Sequence, residues 1–183
     1  MNLTVRSLAY LALEEGLVPE AYLDSGNVWT WAIGLTAAAG VKVQQYVNRP
    51  APIDVCIKAT IAHINATYLP QINRTFAGHA LNDAQFSAAL SFHWNTGAIG
   101  RAHWVNDWLA GDHDRARHEL TSNYLNGGLL QARRNREAAL FFDGKWPADM
   151  RCPVRSVSHP GYHPVKPVAT DITPILQQIL GGN

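Results

Sequence analysis

Glu15, Asp24 and Thr30 are the side chains of this 183-residue sequence whose types and spacing could do chemistry together. They lie in "LEEGLVPEAYLDSGNVWTWAIGLT", residues 13–36. Breaking a glycosidic bond asks for one carboxylic acid to protonate the departing oxygen. It asks for a second carboxylate to assist a water, or to attack the sugar, from the other face. A threonine hydroxyl both donates and accepts, which suits it to fixing a water. Taken singly, each residue has a plainer explanation: a solvated glutamate at a helix end, an aspartate that forms a turn, and a threonine favoured in a strand.

The surrounding elements must bring the three together. Thr4 or Asn2 can cap a first helix running to about Glu14, with Leu8, Leu11 and Ala12 on one face and Gly16 as its stop. From Tyr22 to Thr36 the composition turns to Tyr, Val, Trp, Thr and Ile around "DSGN", which predicts a small antiparallel hairpin or meander. Isoleucines at 53, 57, 61 and 64 predict a helix from about Ile53 to Tyr68, stopped by Pro70. Asn82 can cap a helix with Phe86, Leu90 and Trp94 as its buried stripe, ending at Gly97. Further helices are expected over 101–110, 113–124 and 129–142. Residues 147–183 hold six of the ten prolines. They read as an extended strap ending in a short helix, "TPILQQIL", capped by Thr173 and docked on the chain's own surface. The fold class is therefore α+β and mostly helical. A small N-terminal β-hairpin lobe precedes a C-terminal helical lobe, with an extended C-terminal tail. The expected domains are 1–146, catalytic, and 147–183, the tail. A ligand belongs in a cleft between the lobes.

Bulk properties exclude several functions. The formal net charge is +1, and residues 101–146 carry seven Lys/Arg against six Asp/Glu, so no block is basic enough for nucleic acid. No apolar run approaches the length of a membrane span, so no stable membrane insertion is expected. The start of the chain reads as an amphipathic helix rather than a signal peptide or signal anchor, because Glu14 and Glu15 close a six-residue apolar run. Cys56 and Cys152 lack metal-ligand spacing, and a reduced pair is expected. His113 and His118 are five apart rather than four, and no HExxH occurs, so no metal site and no cofactor are expected.

The spacing E-x8-D-x5-T, set in "EG…AYLD…G…WT…IG", resembles the active-site segment of the phage-type lysozymes, glycoside hydrolase family 24. Gly16, Tyr22 and Gly34 also fit. Downstream, "ALNDAQFSAALSFHWNTGAIG" is similar to that family's central helix and its Asn-x-Gly turn, here Asn95 and Gly97. "WLAGDHDRARHEL" and "GGLLQARRNREAALFFDGKW" resemble its later helices, so about residues 5–146 are covered. The resemblance implies a lysozyme-like fold and an endolysin, a bacteriophage muramidase. Such an enzyme cuts the β-1,4 bond between N-acetylmuramic acid and N-acetylglucosamine in peptidoglycan. It works without a cofactor and is inverting. Glu15 becomes the general acid, and Asp24 and Thr30 position the attacking water. Glu14 lacks the family gap to Asp24. Arg133 or Arg134 would enter the cleft near Glu15, with His93 and Asn95 as further candidates for contacting substrate. The resemblance also implies a monomer made in the host cytoplasm and released to the cell wall through a holin.

Two departures from the family pattern stand out. The usual T-x-G-x-G-H is here "TWAIGL", so Ala32 replaces a glycine and Leu35 a histidine. They keep alive a catalytically degenerate peptidoglycan-binding module as an alternative. Among enzymes, the alternatives are a chitinase or a lytic transglycosylase of the same superfamily. Transglycosylases manage without the second carboxylate, so Asp24 in register speaks against that last reading.

Overall fold

A computed structural model describes residues 1–181; positions 182 and 183 of the expected tail lie outside the described residues. In chain order the elements begin with helix α1 (Val5–Glu15) and strands β1 (Val18–Leu23), β2 (Trp29–Ala32) and β3 (Leu35–Thr36). Helices α2 (Ile53–His63), α3 (Leu69–Thr75), α4 (Asp83–Thr96), α5 (His103–Leu109), α6 (His113–Ser122) and α7 (Gln131–Asp143) follow. The tail contributes strands β4 (Cys152–Val154), β5 (Val157–Ser158), β6 (His163–Pro164) and β7 (Val168–Thr170), then helix α8 (Thr173–Gly181). The class is α+β and mostly helical.

These elements divide into two compact units. One comprises Met1–Leu11 with Asn65–Asp149, the other Ala12–Ile64 with Met150 onward. The first unit is built on α4, which is buried on almost every face from Ala84 to His93. Its start obeys local rules: Asn82 accepts from the Gln85 backbone N–H while the Gln85 side chain accepts from the Asn82 N–H. Gly97, at φ 62°, closes it. Phe92, Trp104 and Phe141 meet edge to face across this core, at centroid distances of 5.3 and 5.0 Å. Burial of each such ring stabilises by roughly 1.5–3 kcal/mol. At the other end of the chain, Thr4 settles the choice of cap for α1, its Oγ1 accepting from the Ser7 N–H at 3.0 Å.

The second unit holds the β meander, ordered β1-β2-β3 and antiparallel throughout. Trp31 anchors it. Its ring is 0% exposed, stacks on Tyr46 at 3.7 Å and donates Nε1–H to the Pro19 carbonyl at 2.8 Å. Trp29 instead lies edge-on to Tyr162 of the tail at 5.2 Å. Among the described residues both cysteines are free and buried, and burial pushes each thiol up to about 12.

Three expectations change. Pro70 does not stop the helix begun at Ile53. The chain passes through a π turn at Ile64–Tyr68 and continues as α3, with Pro70 in its first turn, where a missing N–H costs nothing. The proline-rich tail is not a featureless strap. β4 pairs β7 and β5 pairs β6, in two-stranded sheets whose edges tolerate proline. At α8 the first N–H is satisfied by Asp171 Oδ1 at 2.9 Å, and Thr173 is the residue capped rather than the cap.

Ala32 carries the cost of replacing glycine. It is 1% exposed and sits at φ 56°, in the left-handed region that L side chains avoid by about 1–2 kcal/mol. Ala32→Gly is therefore expected to stabilise the fold by about 0.5–1 kcal/mol after the greater chain entropy of glycine is subtracted. A higher denaturant midpoint in equilibrium unfolding checks this. Leu35, where the family has histidine, is simply buried.

Candidate active site

Asp24 closes the β1–β2 hairpin and keeps one oxygen in reserve. Its Oδ1 accepts the Gly26 and Val28 N–H groups, both at 2.9 Å, while its own N–H donates to the Val28 carbonyl at 3.1 Å. A Cβ at Gly26 would stand 3.3 Å from that Oδ1, so glycine there keeps the carboxylate uncrowded. Turn formation thus consumes Oδ1 and leaves Oδ2 facing Thr30, whose Oγ1 lies 3.3 Å away. The same hydroxyl lies 3.1 Å from the Val28 carbonyl. It has one proton for two acceptors, so a donation to Val28 leaves its lone pairs and Asp24 Oδ2 open to a third partner.

Glu15 is the last residue of α1 and is half-buried. The helix must end there, because Gly16 adopts φ 77°, and a Cβ on it would meet the Pro153 carbonyl at 3.0 Å. Tyr22 stands opposite Thr30 in the hairpin register. Burial first, then Asp24, then Glu15 push its phenol up to about 12, against the pull of Arg155. Glu15, Asp24 and Thr30 fall within the same unit, and Asp24 Oδ2 and Thr30 Oγ1 lie 3.3 Å apart there. Tyr22 was not singled out as a site residue from sequence. The signal was there: a hairpin closed by Leu23 and Trp29 sets 22 against 30.

The arginines of α7 belong to a buried ionic cluster. Arg134 is 0% exposed and Arg133 6%, and both converge on Glu137. Arg133 Nε donates to Glu137 Oε1 at 3.0 Å, and Arg134 Nε lies 3.1 Å from Oε2. Ser91 of α4 donates to the same carboxylate at 2.7 Å, and Arg133 returns a bond to the Ser91 carbonyl at 2.9 Å. Burial raises the pKa of Glu137, opposed by Arg134 and then Arg133. Asn95 is exposed and accepts from Arg134 Nη2 at 2.9 Å. Glu137 was also passed over in the sequence, although its spacing of three and four from the two arginines marks helix-face pairs.

His93, expected near substrate, is 2% exposed and packs edge-on against Tyr68 at 5.0 Å. Burial first, then Arg101, lower its pKa to about 4. The unfolded chain, titrating near 6.5, binds the proton sooner as pH falls. Stability from neutral His93 is thus complete above about pH 6.5 and is lost as pH falls toward 4, by up to about 3 kcal/mol. Urea midpoints measured at pH 7 and pH 4.5 are expected to differ less in His93→Phe than in the unaltered protein. Among the described residues, no three His, Cys, Asp or Glu side chains converge as a metal site would need. No helix among them is long and apolar enough to cross a membrane.

Comparison with known proteins fits this geometry. Residues 12–139, which contain Glu15, Asp24 and Thr30, match the model of the family described as phage lysozyme. The chain belongs to the phage lysozyme family. It is accordingly a glycoside hydrolase, a lysozyme-type endolysin that hydrolyses peptidoglycan. No curated protein matches the chain in sequence.

Solved structures agree on the fold. A mutant of the P22 lysozyme superposes with a TM-score of 0.63 at 19% identity, over 77% of this chain and 98% of that one. An endolysin from Escherichia coli O157:H7 phage FAHEc1 gives 0.59 at 18%, over 80% and 97%. The muramidase domain of SpmX from Asticaccaulis excentricus gives 0.57 at 20%, over 78% and 99%. A lysozyme fold of this family is thus present nearly whole, with additional residues outside the matched span.

Proposed function

We propose that this phage lysozyme cuts the β-1,4 bond between N-acetylmuramic acid and N-acetylglucosamine, with inversion. Glu15 acts as the general acid, and Asp24 Oδ2 with Thr30 Oγ1 holds and activates the water. The observation that carries this is the division of labour within Asp24: two backbone N–H groups lock Oδ1, and Oδ2 is left beside a hydroxyl. A water seated between that oxygen and Thr30 can give up its proton as it attacks, while Glu15 protonates the leaving oxygen.

Arg133, Arg134 and Asn95 act in this reading through α7 and α4, as the buried ionic frame of the helical unit. Action as a monomer, and release from the host cytoplasm through a phage holin, belong to the same proposal. Fragment chemistry tests it. Purified cell-wall sacculi are expected to release products with reducing N-acetylmuramic acid ends, with or without EDTA. Anhydro-muramyl ends would make the protein a transglycosylase instead, and adsorption without release would make it a binding module.

A further inference from the structure

The tail reaches the site at two points. Leu17, two residues after Glu15, donates its N–H to the Pro153 carbonyl at 3.1 Å, and its own carbonyl accepts from Arg155 at 2.9 Å. Leu23, one residue before Asp24, donates to the Tyr162 carbonyl at 2.8 Å. The β5–β6 hairpin that carries Tyr162 is tightly tied. Ser158 pairs with His163, the Tyr162 N–H donates to the Ser158 carbonyl at 2.8 Å, and Ser158 Oγ donates to the His163 carbonyl at 3.1 Å. This hairpin lies outside the span matched to the family, residues 12–139.

Beside Asp24 the hairpin borders an open depression of about 440 Å³, lined by Tyr22, Asp24, Ser25, Asn27, His163 and Pro164. That volume is in the ~300–1,000 Å³ range of small-ligand sites. Its walls alternate apolar surface, from Leu23 and Pro164, with hydrogen-bonding tips, from Ser25, Asn27 and His163. A sugar ring has the same alternation, with C–H faces and hydroxyl or acetamido edges. The position is continuous with the carboxylate that readies the water. We propose that His163 and Pro164 form a tail-supplied subsite for one N-acetylated amino sugar of the glycan strand, adjoining Asp24. This deepens the glycosidase reading of Glu15, Asp24 and Thr30, and rests on it.

The test is binding without turnover. The full chain carrying Glu15→Gln is titrated calorimetrically with soluble, uncross-linked peptidoglycan glycan strands. Adding His163→Ala is expected to weaken strand binding about tenfold, and His163→Gln, which keeps a hydrogen-bonding tip, to recover part of the loss. The ring proton resonances of His163 are expected to shift when strands are added. Equal strand affinity with and without His163→Ala, or unmoved His163 resonances, would each overturn the subsite. Continued cleavage by Glu15→Gln would sink the acid assignment instead, and the comparison of affinities would still report on the subsite.

Discussion

Glu15→Gln is expected to lower turnover of peptidoglycan by about 10²–10⁴-fold, the usual contribution of a positioned general acid. The amide keeps the shape and hydrogen-bonding ends of the side chain but has no proton acidic enough to give to a departing sugar oxygen. Glu15 ends α1, where the carbonyl end of the helix dipole disfavours negative charge, and no basic residue stands in the last turn. Reducing ends released per minute from sacculi measure the loss, and an unfolding transition close to that of the unaltered protein shows that the variant is folded. Retention of more than a tenth of the activity would remove Glu15 from the mechanism.

The second large effect concerns stability. Glu137→Ala is expected to cost about 3–5 kcal/mol, because it leaves the buried guanidiniums of Arg133 and Arg134 without the carboxylate they share. For a chain of this size that lowers Tm by roughly 6–20 °C, at about 2–4 °C per kcal/mol. The penalty comes from buried charges that lose a partner rather than from the carboxylate itself. Replacing Arg133, Arg134 and Glu137 together by Met, Leu and Leu is therefore expected to recover much of the loss, since similar volume is kept and no charge stays buried. Thermal unfolding of both variants decides it. A triple variant less stable than Glu137→Ala would show that the ionic cluster contributes net stability.

The sequence-based reading was most accurate where the governing contacts are short in sequence. Asn82 and Gln85 cap α4 across three residues, and Gly97 ends it by its own φ. Asp24, Gly26, Val28 and Thr30 assemble within a seven-residue turn, so their arrangement is nearly a local property. Burial is what the sequence left open. Arg133, Arg134 and His93 are polar residues on helices, and periodicity gives them either face. Only the packing of α7 on α4, with Ser91 meeting Glu137, put them inside. Pro70 misled because a proline ends a helix only when its missing N–H is needed, and a π turn had already shifted the ladder.

On its own, then, the order of amino acids determined the chemistry available to this lysozyme: an acid, a carboxylate and a hydroxyl at spacings that one helix end and one hairpin can honour. It determined those elements too, since caps, turns and strand pairing act over a few residues. Tertiary structure decided which polar groups are withdrawn from solvent and which stay exposed. It drew the proline-rich tail, more than a hundred residues downstream of Asp24, against the strands beside Glu15 and Asp24. The reason is physical. Contacts between distant segments are selected by shape and desolvation in the folded molecule, and neither leaves a periodic mark on the chain.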